Sequence, residues 1–184
     1  MDFRKKLAIF LVVVLSVVVT VRVSGASEFL TVEYLKLILE KNLFVAVGIF
    51  VGLFVIANLL YIPGFIFLLA PVLVLGKQKA FFLMFFTGSI SCLVSYFLIG
   101  YFGKNLLRNF KNQYAQKAFD RLDKRPLQSI FILRLLMQTN PALNYSLAMS
   151  GVRFRDYMLG SLLGLPIPIA IYCLTFEFFA SFLI

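Results

Sequence analysis

Histidine is absent from the chain, acidic residues number only eight, and there are only two cysteines. Without histidine, the usual general base and the commonest transition-metal ligand are both missing. No two carboxylates share an apolar segment, and no HExxH, GxSxG or P-loop occurs, which removes the usual hydrolytic and nucleotide-cleaving chemistries. Cys92 and Cys173 lie far apart in long apolar runs, without a CxxC partner. They read as small packing residues, not as a disulfide framework or a metal site. No Pro/Gly/Ser-rich linker or low-complexity tract divides the chain, so one compact unit is expected. Neither enzymatic activity nor a cofactor or metal is expected.

What the chain has instead is apolar length. Of its 184 residues 61% are hydrophobic, and the mean hydropathy is +0.96. A core this small cannot hide that much apolar surface from water, so the chain reads as an all-α polytopic membrane protein. Eighteen Lys and Arg against eight acids give a net charge of +10. The basic residues flank apolar segments and do not form a soluble basic face, which favours anionic membrane lipids over nucleic acid as partners.

Residues 1–26 open with Arg4-Lys5-Lys6 and continue into LAIFLVVVLSVVVTV, an N-terminal transmembrane helix with its start in the cytoplasm. A cleaved leader fits the same pattern less well, because the apolar run is long and Arg22 interrupts the cleavage region. Residues 27–41 alternate Phe29, Leu30, Val32, Leu35 and Ile38 with Glu28, Glu33, Lys36 and Glu40, as an interfacial amphipathic helix does. The membrane domain then occupies 42–184. Its first part, 42–76, is broken by Pro63-Gly64 and Pro71, and the 64–76 piece reaches only about 20 Å. A clear spanning run follows over 79–102.

Charge distribution selects the topology. Residues 104–126 carry Lys104, Arg108, Lys111, Lys117, Arg121, Lys124 and Arg125 against Asp120 and Asp123, the strongest cytoplasmic signal in the chain. With the N-terminus also cytoplasmic, 42–76 must turn at Pro63-Gly64 and leave on the side it came from. Arg153 and Arg155 demand the same of 127–151. The expected architecture is therefore an inverted repeat of two re-entrant hairpins, each followed by a spanning helix. Matching broken segments in two halves point to a transport site near the midplane. Ordinary spanning helices kinked by proline are the simpler alternative.

The second broken segment holds the most unusual residues. Arg134 interrupts SIFILRLLM, and Gln138, Thr139, Asn140, Pro141 and Asn144 follow. A charge and an opened backbone at bilayer depth persist only where protein or water satisfies them. No carboxylate is evident at the depth of Arg134, which leaves its guanidinium for a phosphate. The competing reading has Arg134 bound to carbonyls of the hairpin itself or snorkelling to the interface. The amides of Gln138, Asn140 and Asn144 suit either a polar head group or the opened backbone. Gly100, Gly103, Gly151, Gly160 and Gly164 suit close helix contact or turns. Lys104, Arg108, Lys111, Lys117 and Arg121 suit a helix on an anionic membrane surface.

Several of these elements occur in the order of a known family. Pro63-Gly64, Gly88, Gly100-Tyr101-Phe102-Gly103-Lys104, Arg134-Leu135-Leu136, Asn144-Tyr145, Gly151, Phe154, Tyr157, Gly160 and Gly164-Leu165-Pro166 resemble the DedA / VTT-domain superfamily, also called the SNARE-associated Golgi protein family. The resemblance covers roughly 40–172 and looks closest to its Golgi-vesicle-protein-like branch. It implies two re-entrant hairpins meeting in the bilayer, and movement of lipid between leaflets. Scramblase activity is implicated in eukaryotic members and carriage of undecaprenyl phosphate in bacterial ones. Two positions depart from the pattern: Met137 stands where a proline is common, and Asn58-Leu-Leu-Tyr-Ile-Pro63 lacks the carboxylate linked to proton coupling. Lipid movement along a path through Arg134, Gln138, Asn140, Pro141, Asn144, Pro63 and Gly64 is the expected function. A non-transporting membrane scaffold acting through the basic segment, and a secondary ion transporter, are the alternatives. A bacterial inner membrane is expected over an organelle membrane, and self-association into a homo-oligomer is left open.

Overall fold

The computed structural model describes residues 43–62, 65–103, 113–138 and 140–183, with backbone alone for 43–44, 65–66, 113–115 and 177–183. The expected helices over 1–26 and 27–41, the Pro63-Gly64 turn, Thr139, Lys104, Arg108 and Lys111 fall outside the described residues. The described part is all helical: α1 Leu43–Leu59, α2 Phe65–Gly103, α3 Gln113–Lys124, α4 Pro126–Met137, α5 Pro141–Met149, α6 Phe154–Gly164 and α7 Pro166–Leu183.

Helix α1 is an apolar run up to Asn58 that ends in a paired-bond cap. Ile62 N–H donates to Ala57 O and Tyr61 N–H to Asn58 O, the two bonds of a Schellman motif. Glycine normally fills the left-handed position of that motif; here Tyr61 does, at φ 63°. The chain then folds back, and Phe67 of α2 sets its ring edge-on against Phe50 and Phe54 of α1. Pro71 was expected to interrupt this stretch, yet it sits inside α2. The break falls at Gly76, whose φ of 75° and ψ of 163° are open in practice only to glycine. The arm from 65 to 75 covers about 16 Å, and the segment from 77 to 103 about 40 Å, enough to cross a hydrocarbon core of about 30 Å.

The second half repeats the device. Proline at the first position of α4 and again at the first position of α5 starts each helix where its missing N–H costs nothing. Between them Gln138 takes φ 48° and ψ −127°, a conformation that L residues rarely adopt, and α4 stops. Helix α4 spans about 18 Å and α5 about 14 Å, so neither crosses a bilayer alone.

Packing shows that the chain reverses direction between α4 and α6. A Cβ on Gly160 would meet Ile130 and Leu127, and one on Gly164 would meet Arg134 and Phe131. Position advances together on both helices, so α4 and α6 run parallel, and α5 must return to the end where α4 began. Tyr96 of α2 donates to Val152 O, and Phe154 packs on both Tyr96 and Phe97, so that end lies near the C-terminal end of α2. Only Leu165 separates α6 from α7, and together they run antiparallel to α2, with Tyr157 beside Cys92 and Cys173 beside Lys77 and Phe81. Two stretches are long and apolar enough to cross a membrane, Phe67–Gly103 and Phe154–Phe176. The first contains the spanning run expected at 79–102, and the second lies in the last apolar run, where the second spanning helix was expected.

Candidate functional site

Arg134 is the largest fully buried side chain among the described residues, with 0% of its surface exposed. Gly160 and Gly164 make this possible. With no side chains of their own, they let α6 close onto α4 around Ile130 and Arg134, where added Cβ atoms would stand 2.8 Å and 2.6 Å from their nearest neighbours. The approach brings the polar atoms of α6 to the guanidinium. Nε donates to Ser161 Oγ at 3.0 Å, and one terminal nitrogen donates to Tyr157 Oη at 3.1 Å. The other terminal nitrogen donates to Gln138 O at 2.9 Å and to Asn144 Oδ1 at 2.6 Å. Four of the five guanidinium N–H groups are thus engaged, all on neutral oxygens.

Asn144 extends the network across the molecule. Its Nδ2 donates to Asn58 Oδ1 of α1 at 2.8 Å, and the Cys92 thiol lies 3.8 Å from its Oδ1. Tyr157 Oη in turn donates to Cys92 O of α2 at 3.1 Å. A second contact joins α5 to the end of α1: Tyr145 donates to Leu59 O, and its ring stands edge-on to Tyr61 at 6.1 Å. Asn58, Cys92, Arg134, Asn144, Tyr157 and Ser161 thus form one buried polar cluster contributed by five helices.

One face of α2 adds more polar groups. Thr87, Ser91 and Ser95 recur every fourth residue, all fully buried, and their hydroxyls have no hydrogen-bond partner among the described residues. The Gln138 amide nitrogen is buried in the same condition. A helical serine normally returns its hydroxyl to the carbonyl four residues back, as Ser89 does to Phe85 O, so three silent hydroxyls on one face are unusual.

The expected site residues divide into three groups. Arg134, Asn144 and the Gln138 carbonyl converge. Asn140 is exposed and caps α5 by accepting from Ala142 N–H at 2.9 Å, while Pro141 begins that helix and is buried. Pro63, Gly64 and Thr139 lie outside the described residues. Gly160 and Gly164 give close contact, and Gly151 turns the chain at φ 78°. Gly100 is not crowded: a Cβ there would rest 3.7 Å from Ala148 O, an ordinary contact. Tyr157 and Ser161 were not read as site residues, although two polar groups four apart on an apolar helix carry a usable signal.

The VTT domain family matches residues 62–178, well over half of the chain. The chain belongs to the VTT-domain family. That family is the DedA / SNARE-associated Golgi protein group, and this VTT-domain protein is an integral membrane protein. Comparison with curated proteins and with solved structures returns no match. The matched stretch of the VTT domain holds Cys92, Arg134, Asn144, Tyr157 and Ser161, whereas Asn58 joins the cluster from the helix that precedes it.

Proposed function

We propose that this VTT-domain protein moves a phosphate-bearing lipid, a phospholipid or a polyprenyl phosphate, between the two leaflets. In this reading α1 with the first arm of α2, and α4 with α5, are re-entrant hairpins whose tips meet inside the bilayer. The head group passes between the tips and the hydroxyl face of α2, while the tails remain in lipid. The observation that carries the proposal is a fully buried guanidinium whose hydrogen bonds among the described residues all end on neutral oxygens. A cation taken out of water without a counter-ion is penalised by several kcal/mol, and an arriving phosphate relieves that penalty. The phosphate oxygens displace the Gln138 carbonyl and the Tyr157 hydroxyl, the first of which sits on a strained residue.

The same hydrogen bonds favour a second reading, in which Arg134 is a permanent clasp between α4, α5 and α6. Reconstitution separates the two. Vesicles holding the protein and a fluorescent phospholipid are quenched with dithionite, alongside Arg134→Ala and Asn144→Ala. Leaflet exchange predicts quenching beyond the outer-leaflet share, lost in variants that still elute as folded protein. The proposal fails if wild type gives no excess quenching with either a phospholipid or a polyprenyl-phosphate probe, or if both variants exchange at the wild-type rate.

A further inference from the structure

On the face of α4 away from Arg134 lies a feature the leaflet-exchange reading does not use. Ile130 and Arg134 turn toward α6, whereas Ser129, Ile132, Leu133 and Met137 face a groove of about 710 Å³ roofed by α3 and floored by α5. Its walls are apolar, with Leu122 and Phe119 from α3 and Leu143 and Leu147 from α5. Leu122 is buried and holds α3 across α4, and Ser129 Oγ donates to Arg121 O at 3.2 Å to fix the crossing. The groove size lies within the range of small-ligand sites, roughly 300–1,000 Å³.

One end of this groove is charged. A second cavity, of about 400 Å³, is lined by Lys117, Asp120, Arg121, Lys124, Arg125 and Gln128. Arg121, Ser129 and Ile132 line both cavities, so the two are adjacent. Among the described lining residues, four cations against one carboxylate leave a net charge of +3 at the head of an apolar groove. This sequence of surfaces, cationic and then apolar, has the polarity of a single anionic phospholipid: phosphate at the mouth, acyl chain along Leu133, Met137 and Leu147. An apolar groove alone serves any membrane lipid equally. The cationic mouth supplies the selection, because each Lys or Arg near the surface contributes about 1 kcal/mol toward anionic lipid.

We propose that the groove between α3, α4 and α5 is a binding site for one anionic phospholipid, separate from the Arg134 cluster across α4. It goes beyond the leaflet-exchange reading and does not depend on it, since binding is measured without transport. The chain has no tryptophan, so any tryptophan introduced is a unique reporter. Ile132, 47% exposed at the junction of mouth and groove, takes the substitution without filling the core. Phe86, 58% exposed on α2, gives the control for ordinary surrounding lipid.

Ile132→Trp and Phe86→Trp are reconstituted separately in phosphatidylcholine vesicles containing rising fractions of brominated phosphatidylglycerol. The Ile132→Trp reporter reaches half-quenching at a mole fraction on the order of tenfold lower than the Phe86→Trp reporter. Adding Arg121→Gln, Lys124→Gln and Arg125→Gln, all exposed, removes that difference and leaves Phe86→Trp unchanged. Equal quenching at both positions, equal quenching by brominated phosphatidylcholine, or indifference to the three substitutions overturns the proposal. Native mass spectrometry of the protein without a reporter supplies the second measurement. A retained phosphatidylglycerol adduct, lost with the three substitutions, supports the site. Absence of that adduct, or its retention in the neutralised variant, counts against it.

Discussion

At the scale of single residues, the cluster separates groups that hold the fold from groups that have no structural duty. Asn144 accepts from Arg134 and donates to Asn58, so Asn144→Ala removes a buried hydrogen bond from each and lowers stability by about 1–3 kcal/mol. Ser91 and Ser95 stand apart, because their buried hydroxyls bond to nothing among the described residues. Replacing either with alanine removes an unpaired buried polar group and adds a better helix former. We expect Ser91→Ala and Ser95→Ala to keep or raise the thermal unfolding temperature while slowing lipid exchange severalfold in the dithionite assay. A stable variant with undiminished exchange would take the hydroxyl face of α2 out of the path. Arg134→Ala cannot decide this, because it dismantles four hydrogen bonds together with any role in transport.

At the scale of elements, the site exists because α4 and α6 touch more closely than side chains normally permit. The Gly160-x-x-x-Gly164 spacing puts both glycines on one face of α6, against Ile130 and Arg134. Gly164→Ala drives its methyl against backbone as well as the Arg134 stem, and we expect it to lower stability by roughly 1–3 kcal/mol. Gly52→Ala is the control: nothing lies within 4 Å of an added Cβ there, so it is neutral or slightly stabilising. Thermal unfolding in detergent compares the two, and equal behaviour would remove the close-contact account. The short helices of the second broken segment were legible, because a proline, a charge and a run too short to cross a bilayer are local signals. The Gly76 break was not, since Pro71 offers the stronger breaker and only the backbone angles reveal which residue turns. The partners of Arg134 were half legible. Asn144 lies ten residues away in the same broken segment, and Tyr157 and Ser161 stand four apart on an apolar helix, whereas Asn58 arrives through helix packing that no local pattern encodes.

At the scale of the whole molecule, the open question of architecture is which ends share a side of the membrane. Parallel α4 and α6 place the start of α4, which follows Lys117, and Arg153, which precedes α6, at one end of the fold. Gln78 begins the long arm of α2, beside Cys173 near the far end of α6–α7. Outward along these helices lie Phe82, Phe86, Phe97, Leu163 and Ile171, exposed apolar groups that water does not tolerate in such density and that a lipid annulus covers. If the hairpins are re-entrant, cysteines at positions 117 and 153 share one side and a cysteine at position 78 faces the other. The test uses Lys117→Cys, Arg153→Cys and Gln78→Cys, each labelled with a membrane-impermeant maleimide in sealed vesicles of one orientation. The native Cys92 and Cys173 are buried, so the background is low. Reaction of the first two from one side and the third from the other is the expected pattern. Were Lys117→Cys and Arg153→Cys to react from opposite sides, α4 and α5 would together make a full crossing. The tips would no longer meet inside the bilayer, and the buried guanidinium would have to be explained as a clasp within a conventional helical bundle.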